Sequence, residues 1–282
     1  MTIAAAGTIF VAAHLAIGAC ALACGDDQRT SPTGQSPSTV AQPVSSGDVK
    51  VDAILDRLEV KGEAIKGLKA DLVYQYVTVE PFESAQTKKG VLRFARGEPN
   101  AKFYVHFDQL IADGVARATG EYFVFDGRWL VERNDRSRSI IRRQIAREGE
   151  HIDPFKIGEG PFPLPFGQRR NDILREFDVR LEKLDVGDPP GSDHLKCVPR
   201  PNTELAARYS RVEIFVDRRL ELPVRIVTER VRDGNRIEVD FKKIDVNEAP
   251  AGSWFDIEEP EDFVVTVEPL TATARGPEGG AP

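Results

Sequence analysis

The stretch YFVFDGRWLVE, residues 122–132, places two apolar runs on either side of a single turn signal. Asp126-Gly127 at its centre is typical of a two-residue β-hairpin, because such turns need a positive φ that Asp and Gly tolerate. A second signal, DGN at residues 233–235, separates the run 224–231 from the run 237–244. Strands joined by such short turns pair antiparallel with their neighbours in sequence, so the pattern predicts a meander.

Apolar and polar side chains also alternate with a period of two outside this hairpin, at residues 71–76, 103–107, 212–217 and 237–242. This period is typical of strands, since successive side chains of a strand point to opposite faces of the sheet. We count about ten strand candidates, and an open sheet of that size curls into a partial barrel. No long alternation of strands with helices is present, which argues against a parallel α/β fold.

Two helical segments are predicted beside the sheet. From Val51 to Leu68 the apolar residues approximate a helical period, and Gln168–Phe177 predicts a short helix with Ile173, Leu174 and Phe177 on one side. The apolar, Gly- and Pro-rich residues before this second helix exclude regular structure. The loop and helix either cover the open end of the sheet as a lid or form a satellite core under a long loop. The predicted class is therefore mainly β, or α+β: a curved antiparallel sheet with an N-terminal helix and a loop-helix lid.

The N-terminus has the features of an export signal. Residues 1–25 contain no Asp, Glu, Lys or Arg, and residues 3–23 are mostly apolar, which is long enough to enter a secretion channel or span a bilayer. Small residues precede Cys20 and Cys24, as a lipoprotein signal peptidase requires, and Ala21-Leu22-Ala23 also fits ordinary cleavage. We predict a lipoprotein signal peptide at 1–24, acylation of Cys20 or Cys24, and a lipid-anchored protein of the bacterial periplasm. An uncleaved signal anchor is the alternative.

The rest of the chain divides by composition. Residues 25–49 are rich in Ser, Thr, Gln, Pro and Gly and poor in apolar side chains, so they predict a disordered tether. Residues 50–270 carry the periodic segments and are predicted to form one folded domain. Residues 271–282 predict a second disordered tail.

Composition and motifs argue against several functions. The chain has 45 Asp and Glu against 38 Lys and Arg, a net charge of −7, which argues against a nucleic-acid partner. It has no phosphate-binding Gly motif, no HExxH, no CxxC and no G-x-S-x-G. Three Cys and four scattered His provide few ligands for a metal ion. Cys197 is predicted to be a small buried residue of a strand. We therefore predict a binding protein without catalytic residues, metal or cofactor.

Six Arg lie between residues 133 and 147 of this acidic chain. One interpretation is the solvated face of two strands joined by Asn134-Asp135. The other is a docking patch, with Arg138, Arg142 and Arg143 as its residues, for anionic head groups or an acidic partner protein.

The order of these features resembles the outer-membrane lipoprotein carrier superfamily, the LolA/LolB-like proteins. The resemblance covers about Val51 to Val267. The segments that carry it are the helix and strand at 55–77, the strand-turn-strand at 123–130 followed by Asn134, the Pro-Phe and helix insertion at 161–177, residues 254–257 and the closing residues 263–267.

The resemblance implies an open half-barrel closed by helices, with an apolar cavity that holds acyl chains of lipids or lipoproteins. It implies that the concave face consists of Phe103, Val105, Phe107, Val212, Ile214, Val216, Ile237, Val239 and Phe241, and the lid of Phe162, Leu164 and Phe166. An envelope sensor that binds a protein partner through the Arg-rich segment is the alternative within the same fold.

Two departures from the carriers suggest an exported branch of the superfamily. The Arg-Pro-Asn turn of the carriers is Glu98-Pro99-Asn100 here, with Arg96 two places earlier. The soluble carrier also lacks a lipid anchor, whereas the receptor has one.

Overall fold

The structure is a computed structural model that describes residues 44–81, 83–152, 169–247 and 252–270. Several predictions fall outside these described residues: the signal peptide with Cys20 and Cys24, the lid residues Phe162, Leu164 and Phe166, and the tail at 271–282.

The described part of the chain forms twelve strands, three α-helices and one 3₁₀-helix. The helices are α1 (Val49–Ala64), α2 (Arg170–Glu176), α3 (Glu204–Arg208) and the 3₁₀-helix Gly252–Phe255. The strands are β1 (Gly67–Thr78), β2 (Ser84–Ala95), β3 (Lys102–Ala112), β4 (Val115–Phe125), β5 (Trp129–Asn134), β6 (Ser139–Gln144), β7 (Phe177–Glu182), β8 (Ser192–Pro199), β9 (Tyr209–Asp217), β10 (Leu222–Arg230), β11 (Arg236–Val246) and β12 (Val264–Glu268).

All twelve strands belong to one open sheet in the order β12-β6-β5-β4-β3-β2-β1-β11-β10-β9-β8-β7. The chain meanders outward from β1 to β6, starts again at the opposite edge with β7, and returns inward until β11 pairs antiparallel with β1. Only β12 departs from this pattern, because it pairs parallel with β6. The prediction of a mainly antiparallel, open curved sheet with a small helical part is confirmed, with twelve strands instead of about ten.

Helix α1 begins where local hydrogen bonds and charge favour it. The Asp48 carboxylate accepts a hydrogen bond from the Lys50 N–H at 2.8 Å, and Asp52 lies in the first turn, where the helix dipole favours a negative charge. The helix ends at Ala64, so the predicted period up to Leu68 runs past it into β1. Val44, in the segment predicted to be a tether, packs against the core and donates its N–H to Asn171 Oδ1 at 3.3 Å.

The two faces of the sheet differ in what covers them. We call the face that packs on α1 the inner face, and the opposite face the outer face. Val51, Ile54, Leu55 and Leu58 of α1 are buried and belong to one apolar core with inner-face residues of the sheet. Helix α2 lies within the predicted segment 168–177, and its Ile173 and Leu174 are buried. Phe177, predicted to be part of this helix, is also buried but is the first residue of β7.

Part of the outer face is covered by residues 252–268. We call residues Gly252–Glu268 the strap; they comprise the 3₁₀-helix, an irregular segment that ends in a turn, and β12. The strap contacts the outer side of the half of the sheet formed by β2 to β6. The sheet is therefore covered by α1 on one side and partly by the strap on the other.

Candidate functional site

The predicted concave residues lie together on the inner face. Eight of them are at most 4% exposed and belong to the main apolar core with Leu55 and Leu58 of α1, while Ile237 is partly exposed. The eight are Phe103, Val105, Phe107, Val212, Ile214, Val216, Val239 and Phe241. These side chains already have protein neighbours, so the partly exposed surface of the inner face lies beyond them, around Ile237. Acyl-chain binding by this set stays a prediction.

An aromatic row crosses the inner face of the sheet. Tyr74, Phe107 and Phe123 stand on β1, β3 and β4, with ring centroids 5.9 Å apart for Tyr74 and Phe107 and 6.4 Å for Phe107 and Phe123, both edge to face. Phe107 is buried, whereas Tyr74 and Phe123 are only partly buried. The row therefore has a buried ring in the middle and a partly exposed ring on each side of it.

A glycine permits the close approach of the strands beneath this row. A Cβ atom on Gly90 would lie 1.9 Å from the backbone oxygen of His106, a contact that real side chains do not make. The register between β2 and β3 shifts at Lys89/Gly90, so the glycine stands at a bulge of this pair. Any side chain there would push β3, and with it Phe107, away from β2.

Charged and polar groups border the aromatic row. Lys88 Nζ lies 2.5 Å from Glu121 Oε2 and 5.8 Å from the centroid of the Phe107 ring. At the end of β1, the Tyr76 hydroxyl accepts hydrogen bonds from Arg230 Nη2 at 3.1 Å and Asn235 Nδ2 at 2.9 Å. The exposed end of the inner face thus combines aromatic surface with a polar rim, an arrangement that suits an amphipathic ligand.

Tyr74 is the group of this region with the largest change in acidity. Burial raises the pKa of Tyr74 to about 12, and the nearby Tyr76 and Tyr209 act in the same direction. Its hydroxyl therefore remains neutral and able to donate a hydrogen bond throughout the physiological pH range.

Asn100 of the Glu98-Pro99-Asn100 turn and the nearby Arg96 both form hydrogen bonds within the chain. Arg96 donates from Nε to Ile65 O at 2.9 Å and from Nη2 to Gly62 O at 2.6 Å, so its charge lies at the C-terminal end of α1, where the helix dipole favours a cation. Asn100 is 2% exposed and donates to Gly127 O and Glu150 O, both at 2.8 Å. Both residues thus tie separate segments of this chain together.

The three predicted docking residues have partners within the chain. Arg138 Nη1 lies 3.2 Å from Asp262 Oδ2, and Arg142 forms an ion pair with Glu259. Arg143 pairs with Glu132 at 2.9 Å and with Glu268 at 2.8 Å.

The same three arginines do not share one face of the sheet. Arg142 stands opposite Val131 on the outer face, whereas Arg143 stands opposite Leu130, an inner-face core residue. Arg138 lies in the turn between β5 and β6. The partners of these arginines are Asp262, Glu259 and Glu268, which lie more than a hundred residues later in the chain. The Arg-rich segment alone does not predict such contacts.

Two arginines of the outer face, Arg93 and the Arg133 of the Arg-rich segment, lie between aromatic rings, and the sequence analysis did not predict these contacts. The Arg93 guanidinium is 5.1 Å from the Tyr104 ring centroid and 4.8 Å from that of Trp254. Arg133 is 5.0 Å from Tyr122 and 5.1 Å from Phe263. In each case one ring comes from the sheet and one from the strap, so the strap is held by two cation–π sandwiches.

A histidine extends this aromatic layer. His106 stacks on Tyr122 with ring centroids 4.1 Å apart and an interplanar angle of 4°. Burial lowers the pKa of His106, although Asp108 and Asp135 oppose the shift. The neutral ring is therefore favoured in this stack.

A polar cavity of about 260 Å³ lies on the outer face of the other half of the sheet, and the sequence analysis also missed it. Its floor includes buried Phe215, Val77 and Val227. Its walls carry three Arg and four carboxylates: Arg211, Arg225, Arg236, Glu83, Asp188, Glu213 and Glu238. The alternation of charged residues along β9, β10 and β11 was the available signal, because it marks the face opposite the apolar positions.

The arginines of this cavity are already paired. Arg225 reaches Asp240 at 2.6 Å and 3.2 Å, Glu238 at 3.2 Å, and the backbone oxygen of Gly187 at 3.2 Å. Burial raises the pKa of Glu238 despite the neighbouring Arg225. This cavity is thus a network of ion pairs in which the charges largely compensate one another.

Within residues 44–81, 83–152, 169–247 and 252–270, no group of three His, Cys, Asp or Glu side chains is arranged to hold a metal ion. In the same ranges, no helix has the length and apolar character that a transmembrane helix requires.

No protein-family model matches the chain, and no curated protein matches it significantly. Among solved structures, the chain is similar to an uncharacterized conserved protein from Thermus thermophilus, with 13% identity, a TM-score of 0.46 and coverage of 78% of this chain and 99% of that one. A LolA superfamily protein from Nitrosomonas europaea has 12% identity and a TM-score of 0.33, with coverage of 73% and 97%. The Pseudomonas aeruginosa MucA/MucB complex has 15% identity and a TM-score of 0.39, with coverage of 74% and 61%.

Proposed function

We propose that the protein binds acyl chains of lipids or lipoproteins at the inner face of its open sheet, without catalysing a reaction. The observation that carries this proposal is the aromatic row of Tyr74, Phe107 and Phe123, because the partly buried Tyr74 and Phe123 extend the apolar core around Phe107 to partly exposed surface of the inner face. Each methylene removed from water by such a surface contributes about 0.8 kcal/mol. A chain of about ten methylenes therefore supplies about 8 kcal/mol before the costs of association and of ordering the chain are subtracted.

The rim of this surface supports an amphipathic ligand. Lys88 and Arg230 lie beside the aromatic row and at the end of β1, respectively, within reach of a polar head group whose chain rests on the rings. Both cations have carboxylate partners, Glu121 and Asp233, which a ligand carboxylate or phosphate would have to replace. The predicted lid residues Phe162, Leu164 and Phe166 would cover the chain, and the predicted cavity residues would form its floor.

The proposed location is the periplasm, with the protein held to a membrane by an acylated Cys20 or Cys24. An exported, tethered binding domain would meet lipids and lipoproteins in the space where they are transferred. The mass of the mature protein from cells tests this part: a diacylglyceryl modification that disappears in either Cys20→Ala or Cys24→Ala identifies the anchor. An unmodified chain that retains residues 1–24 would contradict it.

Binding of a fatty-acid probe tests the central proposal. The purified full chain is titrated with a dansyl-labelled undecanoic acid, and copurified lipid is sought by native mass spectrometry. Phe123→Glu places a charge at a partly exposed end of the aromatic row. We expect it to lower the affinity for the probe at least tenfold. Val198→Glu, at a β8 side chain that is 41% exposed, is the matched control and is expected to leave binding unchanged.

Two results would contradict the acyl-chain proposal. One is the absence of saturable probe binding by the wild-type chain. The other is equal affinity in the Phe123→Glu and Val198→Glu variants, with both folded by circular dichroism.

A second function, a protein-interaction module of the same fold, is favoured by one specific observation. The Arg-rich strands already bind an acidic extended segment, namely the strap, through Arg138, Arg142 and Arg143. Acyl-chain binding concerns the inner face and protein binding the outer face and edge, so the two functions are separable by mutation.

A further inference from the structure

The strap has the composition of a ligand for a basic surface. Residues 252–268, GSWFDIEEPEDFVVTVE, contain six Asp and Glu and no Lys or Arg. The surface beneath them carries Arg93, Arg133, Arg138 and Arg142. Charge on the two sides is therefore complementary, and Arg133 also pairs with Asp135 beside it at 2.7 Å.

The contacts use the carboxylates and the aromatic rings of the strap together. Glu259 pairs with Arg142 and Asp262 with Arg138, while Arg133 Nη1 donates to the backbone oxygen of Glu258 at 3.0 Å. Trp254 and Phe263 cover Arg93 and Arg133 at either end. The recognition elements are thus an acidic run flanked by two aromatic anchors.

The last part of the strap adds a strand to the sheet. β12 pairs parallel with β6 from Val264 to Glu268, and the Val264 N–H donates to Arg138 O at 2.9 Å. Pairing of an extended segment with a sheet edge is a general mode of peptide recognition, because the main chain supplies affinity whatever the sequence. The edge of β6 is therefore built to accept an extended segment.

The side chains of the strap are more exposed to solvent than those of the core elements. Every residue of β12 is exposed, with Val264 at 70% and Val267 at 55%. The side chains of the Arg138–Asp262 pair are 67% and 58% exposed. Ion pairs in such positions contribute little and are screened by salt, so an outside segment can compete with them.

The surface below the strap needs a cover of some kind. Val124, Val131 and Ile140 lie on the outer face and are 1%, 9% and 0% exposed, yet they lie outside the main core cluster. A segment that displaces the strap must therefore bring apolar side chains as well as carboxylates.

We infer that the outer face of β2 to β6, with its Arg93, Arg133, Arg138 and Arg142, is a docking surface for an acidic extended segment of a partner protein. The strap occupies this surface within the chain and competes with that segment. The partner segment has the chemistry of the strap: an acidic run, an aromatic residue and a β-branched stretch that pairs with β6. This inference rests on the protein-interaction function proposed above and is independent of acyl-chain binding at the inner face.

The test is the binding of a fluorescein-labelled peptide, DIEEPEDFVVTVE, to the full chain, followed by fluorescence anisotropy. In the triple variant Glu259→Gln/Asp262→Asn/Glu268→Gln the strap loses the three carboxylates that pair with Arg142, Arg138 and Arg143, while the arginines remain. We expect this variant to bind the peptide at least tenfold more tightly than the wild-type chain. The matched control is Glu63→Gln/Asp113→Asn/Glu204→Gln, which removes three exposed carboxylates that do not contact these arginines and is expected to behave as wild type.

Two further samples define the specificity. The same peptide with all Asp and Glu replaced by Asn and Gln is expected to bind at least tenfold more weakly. Adding Arg142→Glu to the triple variant is expected to remove binding. Should the triple variant fail to fold, Asp262→Asn alone changes the most exposed of these ion pairs, and we expect about threefold tighter binding.

Several outcomes would overturn the inference. Peptide affinity that does not differ between the triple variant and its control would show that the strap does not compete. Equal binding of the uncharged peptide would remove the role of the arginines. Dimers of the triple variant in light scattering without peptide binding would assign the surface to a second copy. Binding to anionic but not neutral vesicles, without peptide binding, would assign it to a membrane. Normal fatty-acid binding in any of these cases would show that the acyl-chain function of the inner face is intact.

Discussion

The inner and outer faces of the same strands hold the molecule together by different means. On β9, β10 and β11, the inner side chains are apolar, buried and packed with α1, as Ile214, Ile226 and Val239 illustrate. On the outer side, the same strands carry Arg225, Asp240 and other charges that pair across the sheet.

The difference shows where adaptability resides. Close-packed apolar surface is costly to disturb, because every lost contact adds to the lost hydrophobic free energy. Exposed charge pairs exchange partners at little cost in free energy. We therefore assign stability to the packed part of the inner face, and partner exchange to the outer face and to the exposed end of the aromatic row.

The largest effect is expected from removing a large inner-face side chain. Phe103 is 1% exposed and contacts Phe125 at a centroid distance of 5.8 Å. Phe103→Ala is expected to lower the free energy of unfolding by about 3–5 kcal/mol, as truncation of buried Phe does in close-packed cores. Urea denaturation measures it, with the fully exposed Val186→Ala as control, expected within about 0.5 kcal/mol of wild type. A loss below about 1 kcal/mol would break the comparison, since the inner face would then not be closely packed.

A methyl group at the β2–β3 bulge is expected to have the next largest effect. Gly90→Ala forces a contact with the His106 backbone oxygen and is expected to cost about 1–3 kcal/mol, because the strands must move apart. Gly252→Ala is the matched control, since nothing lies within 4 Å of a Cβ placed there. Thermal or urea unfolding compares the two variants. Equal stability would mean that the strands beneath the aromatic row adapt freely.

A charge on the outer face is expected to matter less. Arg225→Ala leaves Asp240, with a side chain 14% exposed, without its bidentate partner, and is expected to cost about 1–2 kcal/mol. The pair variant Arg225→Met/Asp240→Leu is expected to recover most of this loss, because an apolar pair needs no compensation. Arg175→Ala, which breaks an exposed pair with Asp172, serves as control and is expected to cost under about 0.5 kcal/mol. If the pair variant does not recover stability, the Arg225–Asp240 pair contributes to the free energy of unfolding beyond compensating one buried charge with another.

The smallest effect is the response to alkaline pH. The pKa of Tyr74 is raised to about 12 in the folded protein from 10.0, so this residue contributes stability below pH 10 that is lost as the pH rises toward 12. At about pH 10.5 the loss is about 0.8 kcal/mol, because the unfolded chain then binds fewer protons than the folded one. Tyr74→Phe is expected to lose less stability than wild type between about pH 9 and 10.5, with Tyr122→Phe as a partly exposed control. Parallel pH curves for wild type and Tyr74→Phe would contradict the burial of this hydroxyl.

Local sequence patterns predicted the elements that bury a face. The alternation at 103–107 and 237–242 gave strands whose apolar side chains lie on the inner face, because a strand has only two sides and water selects between them. The period from Val51 gave α1 for the same reason, and Cys197 is buried in β8 as predicted. The helix end was misplaced because Leu68 satisfies both the helical period and the first inner-face position of β1.

Contacts between distant segments were beyond prediction from these patterns. The Arg-rich segment was recognised, but its partners Glu259, Asp262 and Glu268 lie in a strap that reaches it only when the chain is folded. The parallel pairing of β12 with β6 was likewise unforeseen, since short turns predict only antiparallel neighbours.

The amino-acid sequence by itself determined which side chains avoid water, and therefore the strands, the first helix and the mainly antiparallel sheet. The tertiary structure alone decided which charges meet, because ion pairs form between residues of any separation and leave no periodic trace in the chain. Burial acts on each segment through its own side chains, whereas pairing of charges depends on where the whole chain brings two segments together.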